Sequence, residues 1–385
     1  MRETKFKKSE VGLIPEDWNA VPLSTIGEVK MCKRIFKDQT AMTGDVPFYK
    51  IGTFGKDPDA YISRELYEQF KGMYPYPQKG TILISAAGTI GRTVVFNGED
   101  AYFQDSNIVW IDHKEKMVVN PYLEHYFKII NWKSENGGTI SRLYNDNLQS
   151  TFLCYPVDKK EQQRIADALS DMDDLIATTK KLIEKKKAIK QGSMQELLSG
   201  KRRLPGFNEA WENTYLGNVT GMISRGQTLT SDQFRFGNIP VMAGGKQYAG
   251  FHNIANQKGR CITISGSGAS AGFVYLHNAP IFATDCSVIA ESNSFSLDFM
   301  YYLLSFKQDY LYKMQTGGAQ PHVYPKDIEN MEIFFPSTKE EQQAIAKILS
   351  DMDLEIDSLE TRLQKYQSLK QGMMQQLLTG KIRLI

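Results

Sequence analysis

The sequence has few of the residues that usually carry catalysis or covalent cross-links. Its four cysteines, Cys32, Cys154, Cys261 and Cys286, are far apart and form no Cys-x-x-Cys pair. We therefore predict reduced, mostly buried thiols without a disulfide framework or a metal site. Five histidines form no group with ligand spacing, and no Ser/His/Asp set or pair of carboxylates stands out. These gaps favour a binding protein over an enzyme that acts alone.

Segments and motifs for membranes, export and nucleotides are also missing. No apolar run approaches the roughly 18 residues of a membrane span, and the charged start MRETKFKKSEVGLIPEDW is not a signal peptide. We expect a cytoplasmic protein with no membrane partner. The run Gly266–Gly272 does not fit Gly-x-Gly-x-x-Gly, and Gly380-Lys381 lacks the upstream glycine of a phosphate-binding loop. We predict no cofactor, and a net charge of +2 is only a weak sign of a polyanionic partner.

A long internal repeat is the clearest feature that is present. Residues 161–204 return as residues 341–384 at a constant offset of 180, and about half of the aligned residues are identical. Such a repeat indicates one structural unit used twice. The chain has 385 residues, of which 41% are hydrophobic and 23% charged, and these values suit two folded domains with connecting elements.

Each repeat copy has the periodicity of a long helix with a narrow apolar seam. In the second copy the spacing alternates between three and four residues, with one lysine interrupting: Leu349, Met352, Ile356, Leu359, Leu363, Tyr366, Lys370, Met373 and Leu377. The first copy carries Leu169, Met172, Ile176 and Ile183. Helices of about forty residues would be on the order of 60 Å long. We expect the copies to pair as an antiparallel coiled coil about an approximate twofold axis; two unrelated helices, each packed on its own domain, remain the alternative.

The repeat extends into the mixed segments that precede each helix. Residues 137–144 match 317–324, and residues 104–106 match 284–286, both at the offset of 180. Short β-branched runs predict strands at Thr81–Ser85, Thr93–Phe96, Asn107–Ile111, Cys261–Ser265 and Ser287–Ala290. Helices are predicted at Pro121–Ile130 and Leu297–Phe306. The predicted fold is α+β: two similar globules with one framework and different polar residues, joined by the two long helices in a pseudo-twofold internal repeat.

Several motifs together resemble the specificity (S) subunit of type I restriction–modification systems. They are Val11–Trp18, the helix start Glu-Gln-Gln-x-Ile-Ala, the exit Leu-Leu-(Ser/Thr)-Gly-Lys-x-Arg-Leu, and Pro205–Phe207 leading to Trp211. One departure is Pro156-Val-Asp-Lys-Lys, where the family often has a Pro-Pro-Leu turn. The resemblance implies target recognition domains at residues 1–157 and 201–337, and long spacer helices at residues 158–200 and 338–380.

The same resemblance implies a non-catalytic subunit that recognises double-stranded DNA. Each domain would recognise one half of an asymmetric, bipartite site, and the helices would space the halves and dock two modification (methyltransferase) subunits. Restriction subunits would join through the complex. Two alternatives stay open: a coiled-coil scaffold that binds only proteins, and a self-contained restriction or modification enzyme.

Residues that contact DNA are expected on loops where the two copies differ. The candidates are Lys33, Arg34, Lys50, Arg92, Ser141, Arg142, Tyr144, Asn145 and Asn147 in the first domain, and Arg225, Lys246, Ser267, Gln320, His322, Tyr324 and Lys326 in the second. Ordinary surface loops with the tyrosines packed beneath them are the alternative. Residues kept in both copies outside the seam suggest a docking face: Glu161, Gln162, Gln191, Gln195, Glu341, Gln342, Gln371 and Gln375.

Overall fold

The computed structural model describes residues 4–130, 132, 142–233 and 235–385. The chain forms two compact units. Unit 1 combines residues 1–178 with residues 363–385, and unit 2 comprises residues 179–362. Each unit therefore contains part of both long helices.

Unit 1 is built on a four-stranded antiparallel sheet in the order β4-β10-β7-β8 and a three-stranded sheet in the order β6-β5-β9. Two further strand pairs are β1-β2 and β3-β11. The strands are β1 (Phe6–Ser9), β2 (Gly12–Pro15), β3 (Trp18–Pro22), β4 (Glu28–Lys30), β5 (Val46–Tyr49), β6 (Tyr61–Ile62), β7 (Ile82–Ser85), β8 (Thr93–Val95), β9 (Tyr102–Phe103), β10 (Ile108–Asp112) and β11 (Phe152–Pro156). The short helices are α1 (Leu23–Ile26), α2 (Arg64–Met73), α3 (Asn120–Phe127) and α4 (Asn145–Ser150).

Unit 2 repeats this framework. Its sheets have the orders β13-β19-β16-β17, β15-β14-β18 and β12-β20. The strands are β12 (Trp211–Tyr215), β13 (Ser224–Arg225), β14 (Ile239–Met242), β15 (Gly250–His252), β16 (Cys261–Ser265), β17 (Val274–His277), β18 (Phe282–Ala283), β19 (Cys286–Ala290) and β20 (Glu332–Pro336). The short helices are α6 (Leu216–Thr220), α7 (Leu297–Phe306), α8 (Gln308–Lys313) and α9 (Pro325–Glu329). The predicted strands and helices are confirmed to within a few residues.

The two long helices are α5 (Lys159–Leu197) and α10 (Lys339–Leu377). They pair antiparallel within each unit. In unit 1 Asp173 of α5 forms an ion pair with Lys370 of α10. Arg164, closer to the start of α5, donates a hydrogen bond to the backbone oxygen of Leu384 at 3.1 Å. In unit 2 Lys190 contacts Asp353 at 2.5 Å. Along the paired helices, residue numbers increase in α5 where they decrease in α10. The predicted antiparallel pairing is confirmed.

The predicted seam residues lie on the faces along which the two helices pair. Leu169, Ile183, Leu349 and Ile356 are buried, and Lys370, the one polar interruption, is neutralised by Asp173. Packing of the apolar stripe removes it from water, which stabilises the pair at roughly 25 cal/mol per Å² of buried apolar surface. The alternative of two unpaired helices is therefore wrong.

Lysines on α5 complete the pairing in unit 2. Lys186 approaches Glu355 at 2.6 Å, and Lys187 approaches Glu360 at the same distance. Opposite charges at the edges of a helix seam favour one register and one orientation. Lys186 and Lys187 are thus partners of α10 in the helix pair.

In each unit the core includes residues from the end of one long helix and from the start of the other. In unit 1, Leu377 and Leu378 from the end of α10 pack with Ile14, Trp18 and Ile165. In unit 2, Leu197 and Leu198 pack in the matching way with Trp211 and Ile345. The end of one long helix thus closes the core against the start of the other.

All four cysteines are buried and unbridged, as predicted. Burial raises the pKa of the Cys32, Cys154 and Cys286 thiols to about 12 and that of Cys261 to about 11. Within the described ranges, no helix is long and apolar enough to cross a bilayer. The same ranges contain no group of three His, Cys, Asp or Glu side chains placed to hold a metal ion.

Candidate functional site

In unit 1 a loop carboxylate binds one of the predicted basic residues. Asp105 precedes β10, and its Oδ2 accepts from Nε of Arg34 at 2.7 Å. The Arg34 side chain is 59% exposed whereas that of Asp105 is 16% exposed, so the guanidinium projects outward from a largely covered carboxylate. The next residue, Ser106, has a φ of 54°, a left-handed conformation that turns the chain sharply before the strand. Asp105 was not among the predicted site residues.

The loops around this pair are joined through backbone hydrogen bonds. The Ala87–Arg142 β-bridge joins the glycine-rich loop after β7 to the segment before α4, and the Leu143 N–H donates to the Ala86 oxygen at 2.8 Å. Arg142 is exposed on this bridge. The Ala86 N–H also donates to the oxygen of Asn107, the residue before β10, at 2.8 Å. The structure thus brings Arg142 close to the loop that leads into β10.

Unit 2 contains the equivalent cluster with different side chains. The Ser267–His322 β-bridge lies at the repeat equivalents of Ala87 and Arg142. Ser267 Oγ donates to Asp285 Oδ2, and Arg225 Nη2 lies 3.4 Å from Asp285 Oδ1. Asp285 is the repeat equivalent of Asp105, and its own φ is 46°. One framework therefore carries Ser267 and His322 here, where unit 1 carries Ala87 and Arg142.

The matched tyrosines lie at the surface and are not packed beneath their loops. Tyr144 is 50% exposed and Tyr324 is 46% exposed. In unit 2 the Tyr324 ring stacks on His322, with ring centroids 6.0 Å apart and planes at 16°. Neither tyrosine is therefore packed beneath its loop, and contact of these residues with DNA stays a prediction.

The remaining candidates are more dispersed. Lys50 is paired with Asp59 at 2.9 Å, and Arg92 donates from Nη2 to the Gly55 oxygen at 3.3 Å. Lys246 lies with its Nζ 5.4 Å from the Phe273 ring centroid. Asn145, Gln320 and Lys326 are exposed and Asn147 is half-buried. Ser141 falls outside the described residues.

The predicted docking residues at the helix starts lie inside unit 1. The Glu161 carboxylate is bound by Arg383, with Nε to Oε1 at 2.5 Å and Nη2 to Oε2 at 2.7 Å. Arg383 also binds Asp17 at 2.7 Å and holds the pKa of Asp17 below its ordinary value through that hydrogen bond. We call Arg383, Glu161 and Asp17 the arginine clamp of unit 1. The guanidinium lies 5.6 Å from the Trp18 ring centroid.

Unit 2 repeats the arrangement. Arg203 binds Glu341 at 2.7 and 2.8 Å, and the indole N–H of Trp211 donates to the same carboxylate at 3.0 Å. We call Arg203, Glu341 and Trp211 the arginine clamp of unit 2. The two clamps explain why the helix start and the exit motif are both repeated: each exit arginine binds the glutamate at the start of the other helix.

The neighbouring glutamines are equally internal. Gln162 Nε2 donates to the Pro156 and Met117 oxygens at 2.7 and 2.9 Å, and its Oε1 accepts from the Val119 N–H at 2.9 Å. Gln342 bonds Pro336 and Ser296 in the same way. The prediction of an exposed docking face is therefore wrong for Glu161, Gln162, Glu341 and Gln342, because all four are buried and hydrogen-bonded within their own unit. Gln191, Gln195, Gln371 and Gln375 are exposed.

Comparison with known proteins follows the same division of the chain. The family model of the type I restriction modification DNA specificity domain matches residues 15–188 and again residues 208–370. The chain thus belongs to the type I restriction–modification DNA specificity family. A Haemophilus influenzae protein named as a type I restriction enzyme specificity subunit is 54% identical over 174 residues. That alignment covers 45% of this chain, and the chain spans only 45% of that relative's length.

Two other similar proteins cover nearly the whole chain. A Methanocaldococcus jannaschii protein named as a type I restriction enzyme specificity subunit is 26% identical over 438 aligned residues, covering 100% of this chain and 98% of its own. The crystal structure of the S subunit of a type I restriction–modification system from M. genitalium superposes with a TM-score of 0.65 at 18% identity. That superposition covers 97% of this chain and 98% of the other, and it supports the fold.

Proposed function

We propose that this chain is the DNA-recognition subunit of a type I restriction–modification complex, in which each unit recognises one half of an asymmetric, bipartite site. One observation carries the proposal: both units contain the same loop bridge, at Ala87–Arg142 and at Ser267–His322, with different side chains on it. A common frame with different polar groups would recognise unlike base sequences. The domains would correspond to residues 1–157 and 201–337, and the spacer helices to residues 158–200 and 338–380.

The partners follow from the same reasoning. The chain supplies no catalytic constellation that we could identify from its sequence, so methyl transfer would come from modification subunits bound to it. Two copies would bind, one near Gln191 and Gln195 of α5 and one near Gln371 and Gln375 of α10, because these pairs are exposed, repeated and four residues apart on their helices. Restriction subunits would join through that complex.

The test is the pattern of DNA methylation in cells that express the chain with and without its modification subunit. We expect a motif of two unlike half-sites separated by unrecognised bases, present only when both proteins are expressed. Arg142→Ala should weaken or relax one half-site and His322→Ala the other, each by about 1–3 kcal/mol if a base-edge contact is lost.

Arg64→Ala is the matched control, since Arg64 is exposed on α2 and paired with Asp100. It should leave both half-sites unchanged. If either loop variant rewrites both halves of the motif, the two units are not independent readers and the proposal fails. If the chain directs no methylation and binds no DNA, a protein-binding scaffold replaces it.

A further inference from the structure

Both units place an arginine against the same loop carboxylate. Asp105 and Asp285 are repeat equivalents at the start of β10 and of β19. Arg34 binds the first, and Arg225 binds the second. Strand pairing sets Arg225 opposite Ser287, whereas Arg34 lies beyond the end of β4 at Lys30. In both units an arginine thus reaches the repeated carboxylate.

A phosphate contact does not account for this pairing. An arginine that binds phosphate gains from its net charge, and a carboxylate oxygen 2.7 Å away largely cancels that charge at longer range. A stabilising role is also small, because an exposed ion pair contributes about 0–1 kcal/mol. The carboxylate does, however, fix the direction of the guanidinium.

The geometry in unit 1 leaves one edge of that guanidinium available. Only Nε of Arg34 is engaged by Asp105, and among the residues that the structure describes neither Nη group has a partner. Two parallel N–H groups at the end of an arginine match O6 and N7 of guanine in the major groove, the commonest specific contact to a base. Beside the pair is a surface pocket of about 330 Å³ lined by Lys33, Tyr74 and Met31, with the lysine Nζ 5.0 Å from the Tyr74 ring centroid.

We propose that Asp105 is a positioning residue that directs Arg34 to a guanine base, so that the half-site recognised by unit 1 contains that guanine. This inference rests on the proposed function and adds the base and the pair of residues that would recognise it. Asp105 itself need not touch DNA.

The test is selection of binding sites from a random duplex library by the purified full chain, with wild type and variants compared at two salt concentrations. Arg34→Lys keeps the charge but loses the paired N–H groups. It should reduce discrimination of one guanine in one half-site roughly 5- to 150-fold, with little change in salt dependence.

Asp105→Asn separates positioning from charge. We expect weaker discrimination at the same guanine as for Arg34→Lys, with equal or higher affinity for unrelated DNA, because a negative charge has been removed. Glu28→Gln is the matched control: Glu28 pairs with Lys30 in unit 1 at 2.6 Å and is exposed, and its loss should leave discrimination unchanged.

The outcomes are distinct from those that test the proposed function. If wild type selects no sequence, the proposed function fails and this inference falls with it. If wild type selects a bipartite motif but Arg34→Lys and Asp105→Asn leave it intact, the proposed function stands and this inference is overturned. A uniform rise in affinity for Asp105→Asn, with every base preference retained, would assign Arg34 to a phosphate and also overturn it.

Discussion

Glu161 and Glu341 are carboxylates buried to 1% and 0% exposure, and each is bound by an arginine from a distant part of the chain. Removing a charged group from water costs several kcal/mol, which only close and complete pairing offsets. The bidentate contacts of Arg383 and Arg203 provide that pairing with two hydrogen bonds each. The clamps therefore stabilise the native arrangement mainly by making any separation of their partners unfavourable.

Replacing Glu161 by Ala should destabilise unit 1 by about 3–5 kcal/mol, because Arg383, largely covered, loses its main counter-charge. Hydrogen exchange of backbone amides, resolved by segment, should show faster exchange in unit 1 alone. Glu341→Ala should show it in unit 2 alone. Glu360→Ala, which removes an exposed partner of Lys187, should cost about 0–1 kcal/mol. Equal effects of Glu161→Ala and Glu360→Ala would contradict this account.

Two buried histidines make stability depend on pH. Burial lowers the pKa of His125 and of His277 from 6.5 to about 4. The unfolded chain therefore takes up protons between these values while the folded chain does not, so stability is full above pH 6.5 and falls as the pH drops toward 4. Urea midpoints at pH 7 and pH 4.5 should differ, and His125→Gln should reduce the difference. Gln can retain the 3.0 Å contact with Ser170. If the difference between the two urea midpoints is unchanged in this variant, His125 is not a source of the pH dependence.

At the scale of elements, α5 and α10 are specified by three kinds of residue. The apolar seam supplies the burial, and the Lys190–Asp353 and Asp173–Lys370 pairs fix the antiparallel register. The buried glutamine at each helix start attaches the helix to a strand of its unit. Each helix is thus held at its first turn as well as along its length.

Lengthening α5 should change the DNA site without changing the bases that are recognised. Inserting residues next to Ala188 should alter the unrecognised spacer or abolish DNA binding, while both half-sites stay the same. Seven residues preserve the phase of the seam, and a matching insertion beside Glu355 in α10 should restore binding with a longer spacer. Methylation mapping would show the spacer length. An insertion variant that keeps the original spacer and affinity would contradict a spacing role for the helices.

At the scale of the whole molecule, the repeat predicts how many partners bind. Two equivalent helix regions should bind two copies of one modification subunit, and the chain without them should transfer no methyl group. Native mass spectrometry should give a saturated ratio of two modification subunits to one chain. Replacing Gln191 and Gln195 together by Ala should remove one copy, and Gln371 with Gln375 the other. Gln343→Ala, an exposed glutamine outside both pairs, is the control; a saturated one-to-one complex would contradict the prediction.

The sequence predicted those features that depend on local periodicity. The seam from Leu349 to Leu377 and the strand at Cys261–Ser265 follow from spacing alone, and both are present. Long-range contacts were missed. Glu161 was assigned to a surface because its partner, Arg383, is 222 residues away, although the repeated exit motif contained that arginine.

Asp105 illustrates a second reason why the sequence did not predict a residue of the candidate site. Its match with Asp285 was visible in the repeat, but carboxylates were not among the side chains expected to contact DNA. Its contact with Arg34, which spans 71 residues, appears only in the folded unit. Side chains that act through a neighbour are therefore the hardest to predict from a single sequence.

The composition of unit 1 has a consequence for biosynthesis. Unit 2 is one continuous stretch, residues 179–362, whereas unit 1 needs residues 363–385 to supply Leu377, Leu378 and Arg383. The ribosome makes those residues after all of unit 2. The half of the protein that is translated first is thus the last to obtain its full core, and until then it exposes the apolar surface around Trp18 and Ile165. A nascent chain stalled within α10 would expose an incompletely folded unit 1 to chaperones and proteases. A bulky tag fused after Arg383 would disturb the folding of unit 1 before that of unit 2.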